Sequence, residues 1–427
     1  MNRIRSLAYL AGTGLVAAAT GISPVLSDEV ADFYKGKQIT MYIGYSAGGG
    51  YDVYARTIAR HMGRHIPGNP DFVAKNLPGA GSLTLTNQMF ARMPKNGTAV
   101  ATVGRGMPTE PLFGNKKAMF NPREFAWIGS ANNEVSVCAA WHTVPVNVWE
   151  DLKTRGMVVG GTAKGSDTDT FPTVLNNILG TKMKLITGYP GGNDINFAIE
   201  KGEVEGRCGW SWSSVVSTRP QWLKEKKIKL LIQMSTAKHK DLPDVPLVVD
   251  LAPTEKDRKV MKLVYARQVW GRPYFTTPGV PKARVAALRK AFDDTMKDPK
   301  FLADARKQKL EINPVAGDVV QKEIAELYES PKEVVEGAKH ATTYTGNIQV
   351  SKAVIPIETA KGKITGVKSK GRSFSWEGGG KKGKLRVSGR NTAITVAGKK
   401  AKRGALKAGL ACEFTYQGSA ATKIACQ

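Results

Sequence analysis

The stretch KQITMYIGYSAGGGYDVYARTIARHMGRHIPGNPDFVAKNLPGAGS, Lys37–Ser82, decides the architecture. Lys37–Tyr45 is a short β-rich run that ends on Ser46-Ala47-Gly48-Gly49-Gly50. From Asp52 to Ile66 the residues Val53, Ile58, Met62 and Ile66 fall on one helical stripe. Pro67-Gly68-Asn69-Pro70 stops that helix, and Asp71–Lys75 reads as the next strand. The loop Asn76-Leu77-Pro78-Gly79-Ala80-Gly81 leads into a second helix, Ser82–Met93, and Thr98–Val103 is again strand-like. A strand-loop-helix unit repeated in this way predicts a parallel sheet covered by helices.

The alternation continues to Thr342. Strands are expected at Val135–Trp141, Met157–Gly161, Lys184–Thr187, Val204–Cys208 and 228–234, and helices at Asp167–Leu179, Asn193–Lys201, Lys282–Lys297 and Val319–Glu329. Two α/β units with a cleft between them fit this pattern better than one sheet. Lobe 1 would take residues 28–104 and 230–342, and lobe 2 residues 105–229, with crossings near 104–135 and 213–230. After Thr342 the chain turns to short strands separated by Gly- or Lys-rich turns, Gly378-Gly379-Gly380 among them. That spacing predicts a small all-β barrel, OB-like in type, over 343–427.

The 427 residues, 41% of them hydrophobic, supply cores for about two to four domains. The net charge of +27 points to an anionic partner, but its distribution narrows the reading. Residues 343–427 hold 17 Lys+Arg against 3 Asp+Glu, about half of the excess, so the basicity belongs first to the barrel. Its aromatics, Tyr344, Phe374, Trp376, Phe414 and Tyr416, are few, and strand alternation turns several of them inward. Single-strand binders need exposed stacking rings, so no nucleic-acid partner is expected. An anionic envelope surface is the candidate partner for 343–427, beside the plain alternative of a solvated basic face.

Met1–Ser27 has a basic start, an apolar run from Leu7 to Ile22 and small residues before Asp28, the pattern of a cleaved export signal. Export to the periplasm permits disulfides. Cys412 and Cys426 are one candidate pair and Cys138 and Cys208 another, while no CxxC supports a redox or zinc-ribbon reading.

The two glycine loops carry the chemistry. Each follows a strand and opens a helix, so backbone N–H groups can converge on an anion; each alone is as readily a tight turn. Neither GxGxxG nor GxxxxGK[ST] is present, so a carboxylate suits the loops better than a nucleotide. Binding would rest on dipoles and hydrogen bonds rather than an arginine clamp.

Taken in order, AGGGYD at 47–52, YARTIARHMGRHIPGNP at 54–70, NLPGAGS at 76–82, PKNGT at 94–98 and GYPGGNDINFAIEKGEVEGRCGWSW at 188–212 resemble the tripartite tricarboxylate transporter substrate-binding proteins, the TctC or Bug-type periplasmic receptors. The resemblance spans about residues 34–335 and leaves the barrel outside. It implies an α/β, two-lobed fold like that of type II periplasmic binding proteins. It also implies a carboxylate held by Gly49, Gly50, Asp52, Ala80, Gly81 and Ser82. Tyr51 stands where many members have Ser or Thr, which keeps a hydroxyl but adds a ring. From the second lobe, Gly165, Ser166 and Thr168 would open the opposing helix, with Tyr189, Asn193 and Asp194 lining the cleft. Lys164 is either a pocket charge or a solvated lysine, and Trp210 and Trp212 are either hinge packing or pocket wall.

No catalytic, metal or cofactor site is expected. His61 and His65 stand at helical spacing without a third ligand, and no GxSxG elbow is present. The expected function is a monomeric periplasmic receptor that delivers an organic acid to the membrane subunits of a tripartite tricarboxylate-type permease. Two alternatives stand beside it: a ligand sensor for a membrane kinase, and an envelope-polymer binder acting through the barrel.

Overall fold

The structure is a computed structural model and describes residues 23–354, 357–368, 371–389, 392–417 and 420–427. Most of the expected export signal therefore lies outside the described residues. No helix among the described residues is long and apolar enough to cross a membrane.

The strands of the two lobes are, in chain order, β1 (Gln38–Ile43), β2 (Asp71–Asn76), β3 (Ala99–Thr102), β4 (Ala126–Ser130), β5 (Ser136–Trp141), β6 (Val158–Gly160), β7 (Lys184–Thr187), β8 (Gly206–Ser211), β9 (Ile228–Met234), β10 (Pro273–Thr276), β11 (Val315–Ala316) and β12 (Gln349–Lys352). The helices that matter for the site are among α1 (Ser23–Tyr34), α2 (Gly50–His61), α3 (Leu83–Ala91), α4 (Asp151–Thr154), α5 (Asp167–Leu179), α6 (Gly192–Glu200) and α7 (Trp212–Thr218).

One sheet has the order β11-β4-β10-β3-β1-β2 and the other β12-β7-β6-β8-β5-β9. β1 is parallel to β2 and β3, but β10 runs antiparallel to both β3 and β4. The sheet is mixed, not parallel throughout as the loop-helix repeat implied. The second sheet is mixed as well, with β6 parallel to β7 and β8, and β5 antiparallel to β8 and β9.

Burial explains the local choices. In β1 the core side takes Ile39, Met41 and Ile43 while Gln38 faces out. In α2 the buried stripe is Tyr54, Ala55 and Ile58, continued by Met62 in a 3-10 turn, so Val53 sits at its edge and the helix stops short of Ile66. β4 and β10 were not separable by period, because both are short and nearly every side chain in them is buried.

Three stretches fall on the other side of the expected lobe boundaries. β4 lies within 105–229 yet joins the sheet of lobe 1. β9, placed mostly with 230–342, is the outer strand of the lobe 2 sheet beside β5. β12, placed with the barrel, pairs in parallel with β7 of lobe 2. A boundary drawn from composition cannot see which sheet edge a strand reaches.

The C-terminal strands are β13 (Ile357–Lys368), β14 (Ser373–Gly378), β15 (Lys381–Val387), β16 (Ala393–Val396), β17 (Lys399–Lys400), β18 (Ala411–Gln417) and β19 (Ala420–Cys426). They run in the order β15-β14-β13-β18-β19, and a parallel β15–β19 pairing closes the ring. This is a five-stranded barrel of the OB kind, with β16 and β17 as an appendage where the 3-10 turn Arg403–Ala405 follows. Phe374, Trp376 and Phe414 fill its core, as the alternation required. Both disulfides are present: Cys138–Cys208 joins neighbouring strands β5 and β8, and Cys412–Cys426 joins β18 to β19.

Candidate functional site

The first glycine loop is organised by Asp52. Its carboxylate accepts from the Gly48 N–H at 3.0 Å, Arg56 Nε at 2.8 Å and Asn76 Nδ2 at 2.7 Å. Asp52 is therefore turned into lobe 1 and holds the loop from behind. Gly49 caps α2 with its backbone, and Gly48 takes a left-handed φ of 86° that favours glycine. Gly50 has no room for more: an added Cβ would overlap Ser214 Oγ.

Lobe 2 opposes this loop with two more helix starts. Ser166 precedes α5, and Gly191 precedes α6 in extended backbone. The N-terminal ends of α2, α5 and α6 thus converge on one cavity between the lobes, of about 50 Å³. At about 10–15 Å³ for each ordered water, that is room for about four water-sized groups.

Of the residues expected at the site, Gly49, Gly50, Tyr51, Ser166, Thr168 and Asn193 line the cavity. Ala80, Gly81 and Ser82 do not; Gly81 packs against Ser166 and Ala163 of lobe 2, and its carbonyl accepts from the Tyr45 hydroxyl at 3.2 Å, while the Tyr45 ring packs on Tyr51 at 5.0 Å. Ser82 Oγ instead links the Gly44 carbonyl to the Gly104 N–H, fixing one strand end to the next. Gly165 faces the Glu110 carboxylate. Tyr189 is packed in the lobe 2 core and donates to Glu203 at 3.3 Å. Asp194 lies outside the cavity and accepts from Ser46 Oγ of lobe 1 at 2.6 Å, a bond from lobe to lobe. Burial raises the Asp194 carboxyl above the usual range.

The open alternatives are resolved by position. Trp210 packs in the lobe 2 core and also forms a wall of the cavity, whereas Trp212 belongs to that core without lining the cavity. Lys164 does not line the cavity; its ammonium lies over the Tyr344 ring, 5.9 Å from the centroid. His61 and His65 contact Asp304 and Asp298 respectively, at 3.0 and 2.7 Å. Among the described residues no cluster of three or more metal-ligating side chains occurs.

What sequence reasoning missed is arginine. Arg105, Arg207 and Arg272 all line the cavity, so the expectation of a site without guanidinium groups is corrected. Arg105 Nε donates to Asp167 Oδ2 at 2.6 Å, and Arg267 lies 3.5 Å from the same carboxylate. Arg272 forms an ion pair with Glu134 at 2.9 Å and donates to Ser213 and Ser214. Both Glu134 and Arg272 are buried where the chain crosses between lobes. The signal was present: Arg207 interrupts the otherwise small and apolar run Gly206–Trp212, and a charged residue in such a run seldom turns inward without a reason.

Two packed α/β lobes, joined by crossing segments and closing on a polar cavity, define the architecture of a periplasmic binding protein. Solved structures agree. BugD, a periplasmic binding protein, superposes with a TM-score of 0.59 at 21% identity, covering 72% of this chain and 98% of its own. A Rhodopseudomonas palustris protein solved with adipate gives 0.56 at 18% identity, covering 72% and 97%. MatC from the same organism, solved with bound malate, gives 0.57 at 18% identity, covering 70% and 99%. The remaining residues, the barrel included, extend beyond these matches. No protein-family model and no curated protein sequence matches the chain.

Proposed function

We propose that this protein is an exported solute receptor that captures a small organic acid between its lobes and presents the closed form to a membrane permease. The observation that carries the reading is the interlobe cavity onto which the amino ends of α2, α5 and α6 converge. Unpaired N–H groups and aligned peptide dipoles favour an anion there. The cavity lies at the carboxyl ends of β1 and β6, where open α/β sheets characteristically bind ligands. Adipate and malate in the two neighbours support an acid as the ligand class. Binding and closure suffice for this role, and no chemical step is required of the lining groups.

Calorimetry and thermal shift on the mature chain, against mono-, di- and tricarboxylates and aromatic acids, test the proposal. Saturable binding of at least one acid is expected. A folded protein that binds none of them would overturn it. A deletion strain that loses uptake of that acid would separate delivery to a permease from signalling to a kinase.

A further inference from the structure

The cavity's guanidinium groups are not equivalent. Arg105 and Arg272 each have a carboxylate, Asp167 and Glu134. Arg219, near Thr218 of the cavity wall, donates to Asn193 Oδ1 at 2.7 Å and to the Thr218 carbonyl at 2.8 Å. Arg207 has no carboxylate partner among the described residues. Its Nη1 donates to two neutral oxygens, the Gly192 carbonyl at 3.0 Å and Asn196 Oδ1 at 3.2 Å. Its Nε is buried with no acceptor.

The surroundings intensify the problem. Burial lowers the Arg207 pKa to about 9, and Arg219, Arg272 and Arg105 push in the same direction. The positive end of α6 also abuts it: an added Cβ on Gly192 would overlap the guanidinium, so that glycine is what lets the group lie there. The Trp210 face, 5.0 Å from the guanidinium carbon, holds it in place. A partly buried cation among other cations, its Nε buried without an acceptor, lacks one thing, an anion.

Resting on the receptor reading above, we propose that Arg207 anchors the single carboxylate of a small monoanionic acid. The lining sets the class. Arg105 and Arg272, the other cations that line the cavity, each lie against a carboxylate, so Arg207 is the lining cation left without one among the described residues. The rest of the wall offers hydroxyl and amide groups, from Thr162, Ser166, Thr168, Asn193 and Ser214. These suit a hydroxyl or keto oxygen beside the carboxylate. Short 2-hydroxy and 2-keto monocarboxylates meet both requirements and the volume, whereas a second carboxylate would find no other lining cation without a carboxylate beside it.

The test is calorimetry with lactate, pyruvate, lactamide, malate and succinate on wild type, Arg207→Gln and Arg207→Lys, with unfolding temperatures measured without ligand. Wild type should bind lactate or pyruvate at least about tenfold more tightly than malate or succinate, and lactamide not measurably. Arg207→Gln should lose about a hundredfold in affinity for the monocarboxylate, with part of it regained in Arg207→Lys. Arg207→Gln should unfold at no lower temperature than wild type, because it removes a charge that has no carboxylate partner; Arg207→Lys keeps the charge, and its unfolding temperature shows that it is folded. Unchanged affinity in Arg207→Gln would overturn the anchor while leaving the receptor reading intact, and Arg207→Lys decides the point if the glutamine variant does not fold. Preference for malate or succinate would overturn the monoanion assignment. Should wild type bind no acid of the wider panel, the receptor reading falls and this inference with it.

Discussion

The Ser46–Asp194 bond allows closure to be perturbed without touching the ligand. It joins the first glycine loop to the start of α6 at 2.6 Å, and neither residue lines the cavity. Ser46→Ala, Asp194→Asn and the double variant therefore alter only what the lobes gain by meeting. A hydrogen bond to a carboxylate contributes about 1.5–3 kcal/mol when buried. Ser46 is buried but Asp194 is partly exposed, so screening brings the figure to about 1–2 kcal/mol. If the bond forms only in the closed state, its loss raises the apparent Kd about 5- to 30-fold. Calorimetry with the best-bound acid gives the affinities, and small-angle scattering with and without that acid reports the extent of closure. The double variant should be no worse than either single one, because both remove the same bond. Losses that simply add, or affinities within twofold of wild type, would refute the view that this contact latches the lobes.

Gly50→Ala should weaken acid binding by at least about tenfold, because the new methyl overlaps Ser214 Oγ and crowds Arg272 at the cavity wall; calorimetry reads the loss, and thermal unfolding confirms that the variant is folded. Burial raises Asp169 to about 6, so its ionisation opposes folding: the contribution is whole below about pH 4 and is lost as pH rises through about 6. The stability gap between Asp169→Asn and wild type should then grow by about 2 kcal/mol in favour of the variant from pH 4 to pH 7, by urea titration, and a gap independent of pH would exclude the effect. Replacing Cys412 and Cys426 by serine removes a link across a sequence separation of 14 and should cost the barrel about 3 kcal/mol, leaving acid affinity unchanged.

Much of the fold was legible because its elements are amphipathic in the ordinary way. The helix Asp167–Leu179 and the strand Ile228–Met234 have the bounds their patterns gave, and the Lys-rich turns after Thr342 marked the barrel. β4 and β10 escaped because strands buried on both faces carry no alternation, and Gly129 and Pro273 argue locally against a strand. The loops that form one wall were legible from Gly48-Gly49-Gly50 and from the residues before α5. The second glycine loop misled for a reason of shape rather than chemistry: Gly81 meets Ser166 and Ala163 of the opposing lobe, so the loop packs against lobe 2 beside the cavity instead of lining it. The arginines were hidden by charge arithmetic, which counts a guanidinium as solvated. Only the fold reveals that Arg105 and Arg272 spend their charge on Asp167 and Glu134, and that Arg207 does not.

The position of β12 has a mechanical consequence. Residues 343–353 are stitched to lobe 2: Tyr344 donates to Asp169 at 2.6 Å, Asn176 to the Asn347 carbonyl at 2.8 Å, and the Ala353 N–H to the Thr187 carbonyl at 2.8 Å. The barrel's first strand begins at Ile357, just past this seam, so its point of attachment belongs to lobe 2. Cutting the chain at 343 would strip an edge strand from the second sheet, and a clean separation has to fall after Ala353. The seam also makes the barrel a lever. A surface that grips it and prefers one orientation of lobe 2 shifts acid affinity, and the acid, by reciprocity, shifts the grip by the same factor.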